Sequence, residues 1–162
     1  MPVFGLNNGV IPVIAYNYGA GNKDRVVKAI KSSAIIAIII MTAGVIAFQT
    51  IPDVLLKMFD ASETMLFIGV PALRVISLSF IFAAVGIACS SAFQALGYAF
   101  YSMLMSIVRQ LVVLLPVAYL LSMTGEVRLV WFAFPIAEVV AIILCEFFMI
   151  HIYKTVISKI GK

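Results

Sequence analysis

Ser32–Thr50 reads SSAIIAIIIMTAGVIAFQT, an unbroken apolar run without one charged residue, and Pro52 closes it. A helix of roughly 20 apolar residues crosses the hydrocarbon core of a bilayer, and this run is of that length. Further runs of the same or greater length follow it. The chain of 162 residues is 64% hydrophobic and only 11% charged, with a mean hydropathy of +1.18. Ordinary globular chains are about half apolar and about a quarter charged, so a soluble domain of this size has no interior for so much apolar surface. The sequence therefore predicts an all-α, polytopic transmembrane helix bundle.

Outward from Ser32–Thr50, the chain divides into one membrane domain over 1–162: a partial helix over 1–20, then spans over 32–51, 65–96, 102–123 and 129–153. The first segment is short and interrupted by Gly5, Gly9, Pro12 and the pair Asn7-Asn8, which reads as irregular. It begins abruptly, with no Lys or Arg ahead of it, so the positive region of a signal peptide is missing and the chain reads like the end of something longer. The run 65–96 exceeds one crossing and, as a single span, is expected to tilt or to extend into the headgroup region. Pro116 and Pro135 are expected to bend the last two spans in their middles. Ser62 or Thr64 suits the cap of the helix that starts the long run.

Charge sets the expected orientation. The first link holds Lys23, Arg25, Lys28 and Lys31, and the tail holds Lys154, Lys159 and Lys162. The opposite links hold only Lys57 and Arg128, together with Asp53, Asp60, Glu63 and Glu126. By the positive-inside rule the first link and the C-terminus are cytoplasmic, in a multi-pass protein of the cell (inner or plasma) membrane. The same distribution argues against nucleic acid, because the cations flank apolar runs and form no basic face with interleaved aromatics.

No enzyme motif or cofactor site is present. His151 stands alone near a membrane interface, and Cys89 and Cys145 lie within apolar runs as small packing residues, without metal-ligand spacing. Gly19-Ala-Gly21 follows no strand and reads as a helix stop, with Asn17, Asn22 and Arg25 completing a helix-end motif. The better leads are polar groups inside the membrane, which are costly there and face protein or water. Arg74 and Glu138 lie roughly 12 Å from the external side, counted at about 1.5 Å per residue, and Arg109 and Glu146 lie roughly 10 Å from the cytoplasmic side. Matched depth pairs Arg74 with Glu138 and Arg109 with Glu146, either as structural ion pairs or with Glu138 coupling a proton or cation. Gln94 and Gln110 join helices or line a cavity. Ala84, Ala88 and Ala92, at four-residue spacing, form a stripe that permits close helix packing.

The residues then form a pattern. Pro12-Val-Ile-Ala-Tyr-Asn-Tyr-Gly-Ala-Gly-Asn22 followed by Arg25, Leu73-Arg74-Val-Ile-Ser77, Ser91-Ala-Phe-Gln-Ala-Leu-Gly97, Arg109-Gln110, Leu115-Pro116 and Trp131-Phe-Ala-Phe-Pro-Ile-Ala-Glu138 occur in order along the chain. The set resembles MATE (multidrug and toxic compound extrusion) transporters, especially the bacterial DinF-like and MepA-like branch. The resemblance implies a two-lobed, twelve-helix exporter of amphipathic or cationic drugs working in antiport with H+ or Na+, and no cofactor. It places this chain at the end of helix eight and helices nine to twelve, within the second lobe. Coupling carboxylates of the family sit on the first helix of the first lobe or on helices seven and ten. The first two are absent here and the run 65–96 holds no Asp or Glu, so no cation site carries over.

The implied partners are membrane lipid, the drug, the coupling ion and the missing N-terminal lobe, from the same gene or a separate chain. Alone, the chain is not expected to transport. Two other readings stay open: a lipid or polysaccharide flippase of the same superfamily, and a non-transporting truncated membrane protein.

Overall fold

The computed structural model describes residues 2–160. Met1, Gly161 and Lys162 lie outside the described residues, Lys162 being one of the cations assigned to the tail, and of Pro2 and Phe4 only the backbone is described. Among the described residues the elements are helices throughout: α1 (Pro2–Gly19), α2 (Lys23–Thr50), α3 (Pro52–Lys57), α4 (Glu63–Ser77), α5 (Phe80–Ala95), α6 (Ala99–Ile107), a π-helical stretch (Val108–Leu114), α7 (Leu115–Ser122), α8 (Val127–Val130), α9 (Ala133–Thr155) and a 3-10 turn (Ile157–Lys159). Lys23–Thr50, Ala99–Ser122 and Val127–Lys159 are each long and apolar enough to cross a membrane, and α4 with α5 makes a fourth crossing if the bent pair is one span.

The chain punctuates these helices with a few residues. Gly21 (φ +71°) ends α1: its N–H donates to the Tyr18 carbonyl at 3.1 Å, and the Asn22 N–H reaches back to the Asn17 carbonyl at 2.9 Å. Gly97 (φ +85°) ends α5 the same way, with the Tyr98 N–H on the Phe93 carbonyl at 2.8 Å. Both are Schellman closures, which need a left-handed residue and satisfy carbonyls that would otherwise be orphaned. Ser62 caps α4, its hydroxyl accepting from the Met65 N–H at 3.3 Å.

Three local expectations change. The segment read as irregular is one continuous helix, α1, with Pro12 inside it. Gly and Pro are tolerated in membrane helices because neighbouring helices and local adjustments re-satisfy the freed backbone groups, and α1 packs on both α2 and α5. Pro135 is the third residue of α9, not a mid-span kink; a first-turn residue has no intrahelical N–H bond to lose. The run 65–96, read as one long span, carries a bend of 51° between α4 and α5 that the sequence reading did not include.

The bend has a side-chain cause. Ser77 and Ser79 turn their hydroxyls onto the carbonyls of Arg74 (2.9 Å) and Ile76 (2.6 Å), competing with the helical ladder. Gln49 of α2 then closes the gap, its Nε2 donating to the Arg74 carbonyl at 2.8 Å and to Ser77 Oγ at 3.0 Å. Gln49→Leu removes both bonds. The expected loss is about 1 kcal/mol, since the Arg74 carbonyl keeps the Ser77 hydroxyl. Unfolding of the detergent-solubilised protein measures it, and an unchanged midpoint would show that Gln49 does not hold the bend.

The other irregularity is the π-helical stretch ahead of Pro116. Proline has no N–H and its ring crowds the carbonyl four residues back. The helix widens before it, and the Leu115 N–H bonds the Gln110 carbonyl, five residues back. Such insertions re-aim side chains within an otherwise regular helix. Here they are Arg109 and Gln110.

α5 is the axis of the bundle, packed against α1 and α2 on one side and α6 and α9 on the other. Small residues make this possible. Ala84, Ala88 and Ala92 are all buried, and Ala84 meets Ala37 of α2 in a small cluster with Val3. A larger cluster forms at the lysine-rich end around Ile14, Val26, Phe93, Cys145, Ile152 and Ile157. Outward-facing Ile35, Ile39 and Ile46 of α2, and Ile143, Phe147 and Ile150 of α9, stay exposed, as lipid-facing side chains should.

Candidate functional site

Polar residues on four helices, α6 and the π-helical stretch counting as one, converge on one cavity of about 280 Å³. From α5 it takes Ala83, Gly86, Ile87, Ser90 and Gln94; from α6 and the π-helical stretch it takes Ser102, Met105, Ser106 and Arg109. Both sets fall on a single helical face, at spacings of three, four and seven. Glu138 and Ala141 of α9 and Asn7 of α1 complete the wall.

Two polar clusters order the cavity. In one, Gln94 Nε2 donates to Ser102 Oγ at 3.0 Å and to Ser90 Oγ at 3.3 Å, and the hydroxyls of Ser90 and Ser102 bond each other. In the other, Arg109 Nη1 donates to Glu138 Oε1 at 2.6 Å. This is the one ion pair among the described residues, with side chains 38% and 13% exposed. A charge-assisted bond of this length locks the two side chains across the interface between the π-helical stretch and α9.

That pair corrects both pairings expected from depth. Glu138 is held by Arg109, not Arg74, and Glu146 has no ion-pair partner among the described residues. Arg74 is exposed and contributes its carbonyl to the α4–α5 bend. Counting residues gives height along a helix but not direction around it, and a long Arg side chain bridges a difference in height. Gln110 is exposed and does not line the cavity. Of the intramembrane candidates, Gln94, Arg109 and Glu138 share the cavity, while Arg74, Gln110 and Glu146 stand apart from it.

The helix-end residues lie far from this cavity. Gly19 and Gly21 line a separate recess, Asn22 and Arg25 stand at the start of α2, and Asn17 is buried with its Nδ2 on the Val13 carbonyl at 2.8 Å. Cys145 is buried in the large cluster and Cys89 packs against it; His151 is exposed, its ring 6.3 Å from that of Tyr101. Ser90, Ser102, Ser106 and Asn7 were not anticipated. The signal was present, since Ser90 and Gln94, and Ser102, Ser106 and Arg109, recur at helical spacing on their own helices.

A profile of the family described as MatE matches residues 1–120. The multidrug export protein MepA of Staphylococcus haemolyticus (strain JCSC1435) is 30% identical over 150 residues, which are 90% of this chain and 32% of that protein. A solved structure described as the inward-facing conformation of a multidrug resistance MATE family transporter of the MOP superfamily superposes with a TM-score of 0.83. The match is 23% identical and covers 95% of this chain and 37% of that one, so it bears on the fold alone. The chain thus spans about a third of the length of the relatives it matches.

Proposed function

The chain belongs to the MatE family of multi-pass membrane transporters, and on that premise we propose that it supplies the C-terminal part, within the second lobe, of a secondary active multidrug exporter. The exported molecules are amphipathic or cationic drugs, exchanged for H+ or Na+. The first link and the C-terminus face the cytoplasm, on the weight of Lys23, Arg25, Lys28, Lys31, Lys154 and Lys159 at one end of the bundle.

The observation that carries this reading is the cavity walled by Arg109–Glu138 and Gln94. An apolar bundle has no stability reason to keep polar groups in hydrocarbon unless they pair or face a water-filled space, and here they pair around a cavity. Ser90, Ser102, Gln94 and Glu138 offer acceptors, and Met105 and Ile87 offer apolar wall, which together suit an amphipathic cation. One lobe has nothing to alternate against, so transport needs the remaining length of the exporter.

Ethidium efflux from cells tests this. Cells making the 162-residue chain alone are expected to show none above background. Cells that also make the complementary part of the transporter are expected to show efflux that stops when the ion gradients are collapsed. Gradient-driven efflux by the chain alone would contradict the proposal, and so would its absence with both parts present and folded.

A further inference from the structure

A second recess, of about 370 Å³, opens at the lysine-rich end of the bundle. Its walls are the end of α1 (Tyr18, Gly19, Gly21), Tyr98 at the start of α6, and the chain after α9 (Thr155, Val156, Lys159, Ile160). Among the described residues, neither tyrosine hydroxyl has a hydrogen-bond partner and the Lys159 ammonium has no carboxylate. No acidic side chain among the described residues lines the recess, which therefore presents two phenol hydroxyls and a cation.

Its surroundings strengthen this bias. Gly21 also borders a second hollow with Asn22, Lys23, Asp24 and Arg25, so the two open side by side. Lys23, which lines that adjoining hollow, has its Nζ 5.9 Å from the centre of the Tyr153 ring. Among the described residues, the side chains of this end include the cations Lys23, Arg25, Lys28, Lys31, Lys154 and Lys159 and the carboxylate of Asp24. Tyr18, Tyr98 and Tyr153 cluster here as interfacial aromatics do, at the level where headgroups lie. Val156 and Ile160 give the recess an apolar side.

We propose that this recess holds the phosphate headgroup of an anionic phospholipid, with Lys159 and Lys23 on the phosphate, Tyr18 and Tyr98 donating to its oxygens, and the acyl chains running down the bundle past Val156 and Ile160. A phosphodiester at this depth matches the phenol hydroxyls and the ammonium, and basic residues bordering a membrane helix are the recognised means of holding one. The site is separate from the Arg109–Glu138 cavity and does not depend on what that cavity transports.

Native mass spectrometry of the 162-residue chain, reloaded from detergent with phosphatidylglycerol or with phosphatidylcholine of the same acyl chains, tests the assignment. Phosphatidylglycerol is expected to stay bound under activation that strips phosphatidylcholine. Lys23→Gln and Lys159→Gln should each weaken its retention about fivefold. Lys57→Gln, which removes the same charge at the opposite end, should leave it unchanged. Circular dichroism of each variant confirms the fold. Equal retention of the two lipids would mean that the headgroup charge is not read, equal weakening by Lys57→Gln would mean general charge attraction, and either result overturns the site. Displacement of the lipid by millimolar inorganic phosphate would assign the recess to free phosphate and overturn the lipid.

Discussion

Arg109→Met is expected to destabilise the protein by about 2 kcal/mol, because it strands the Glu138 carboxylate in the bundle without its cation. Removing one partner of a fully buried pair costs about 3–5 kcal/mol. The figure is reduced here because the Arg109 side chain is 38% exposed, towards the cavity. Glu138→Gln should cost less, since an amide oxygen still accepts from the guanidinium. Arg109→Met with Glu138→Leu together should recover most of the loss, because two apolar side chains replace two desolvated charges. A double-mutant cycle by chemical unfolding in detergent isolates the coupling. If the two single losses simply add, the Arg109–Glu138 bond does not hold the π-helical stretch to α9.

Ala84→Leu should cost about 3 kcal/mol, the largest stability loss expected of any single change considered. Ala84 is fully buried and packs with Ala37 of α2 and Val3 of α1. Extra methylenes there must push two backbones apart, and overpacking costs about 1–3 kcal/mol in a well-packed core. The upper figure applies because small residues alone let these helices approach, and the contact is shared by three of them. The exposed position Ile143, on the outward face of α9, makes the comparison: Ile143→Leu should change nothing measurable. An unfolding midpoint for Ala84→Leu equal to that of Ile143→Leu would contradict the packing of α5 as the axis of the bundle.

The membrane character was legible from length and hydropathy, because hydrocarbon thickness imposes a run length that few other structures need. Family membership was legible from ordered blocks such as Trp131–Glu138. The local shape was not. Pro116 announced a distortion, but its form, a widened π-helical stretch, depends on which carbonyls find partners. The break after Ser77 rests on Gln49, from another helix and distant in sequence. Partner choice inside the membrane failed for a related reason. Depth is one coordinate, and the face a residue presents after a bend or a π insertion is another. A scan for polar residues at helical spacing along 90–94 and 102–109 would have found Ser90, Ser102 and Ser106, since that pattern marks a wet face in an apolar run.

The claim on which the account turns is that the Gln94, Arg109 and Glu138 cavity is open to water and receives cations. Ser106→Cys, in a background with Cys89→Ala and Cys145→Ala, places one thiol on its wall. Labelling with a charged maleimide in the membranes of the expressing cells gives the measurement. The thiol is expected to react, and a lipophilic cation such as tetraphenylphosphonium to slow it severalfold, while Ile143→Cys on the outward face stays unlabelled. A thiol at 106 that does not react, or reacts at the same rate with the cation present, would contradict the account.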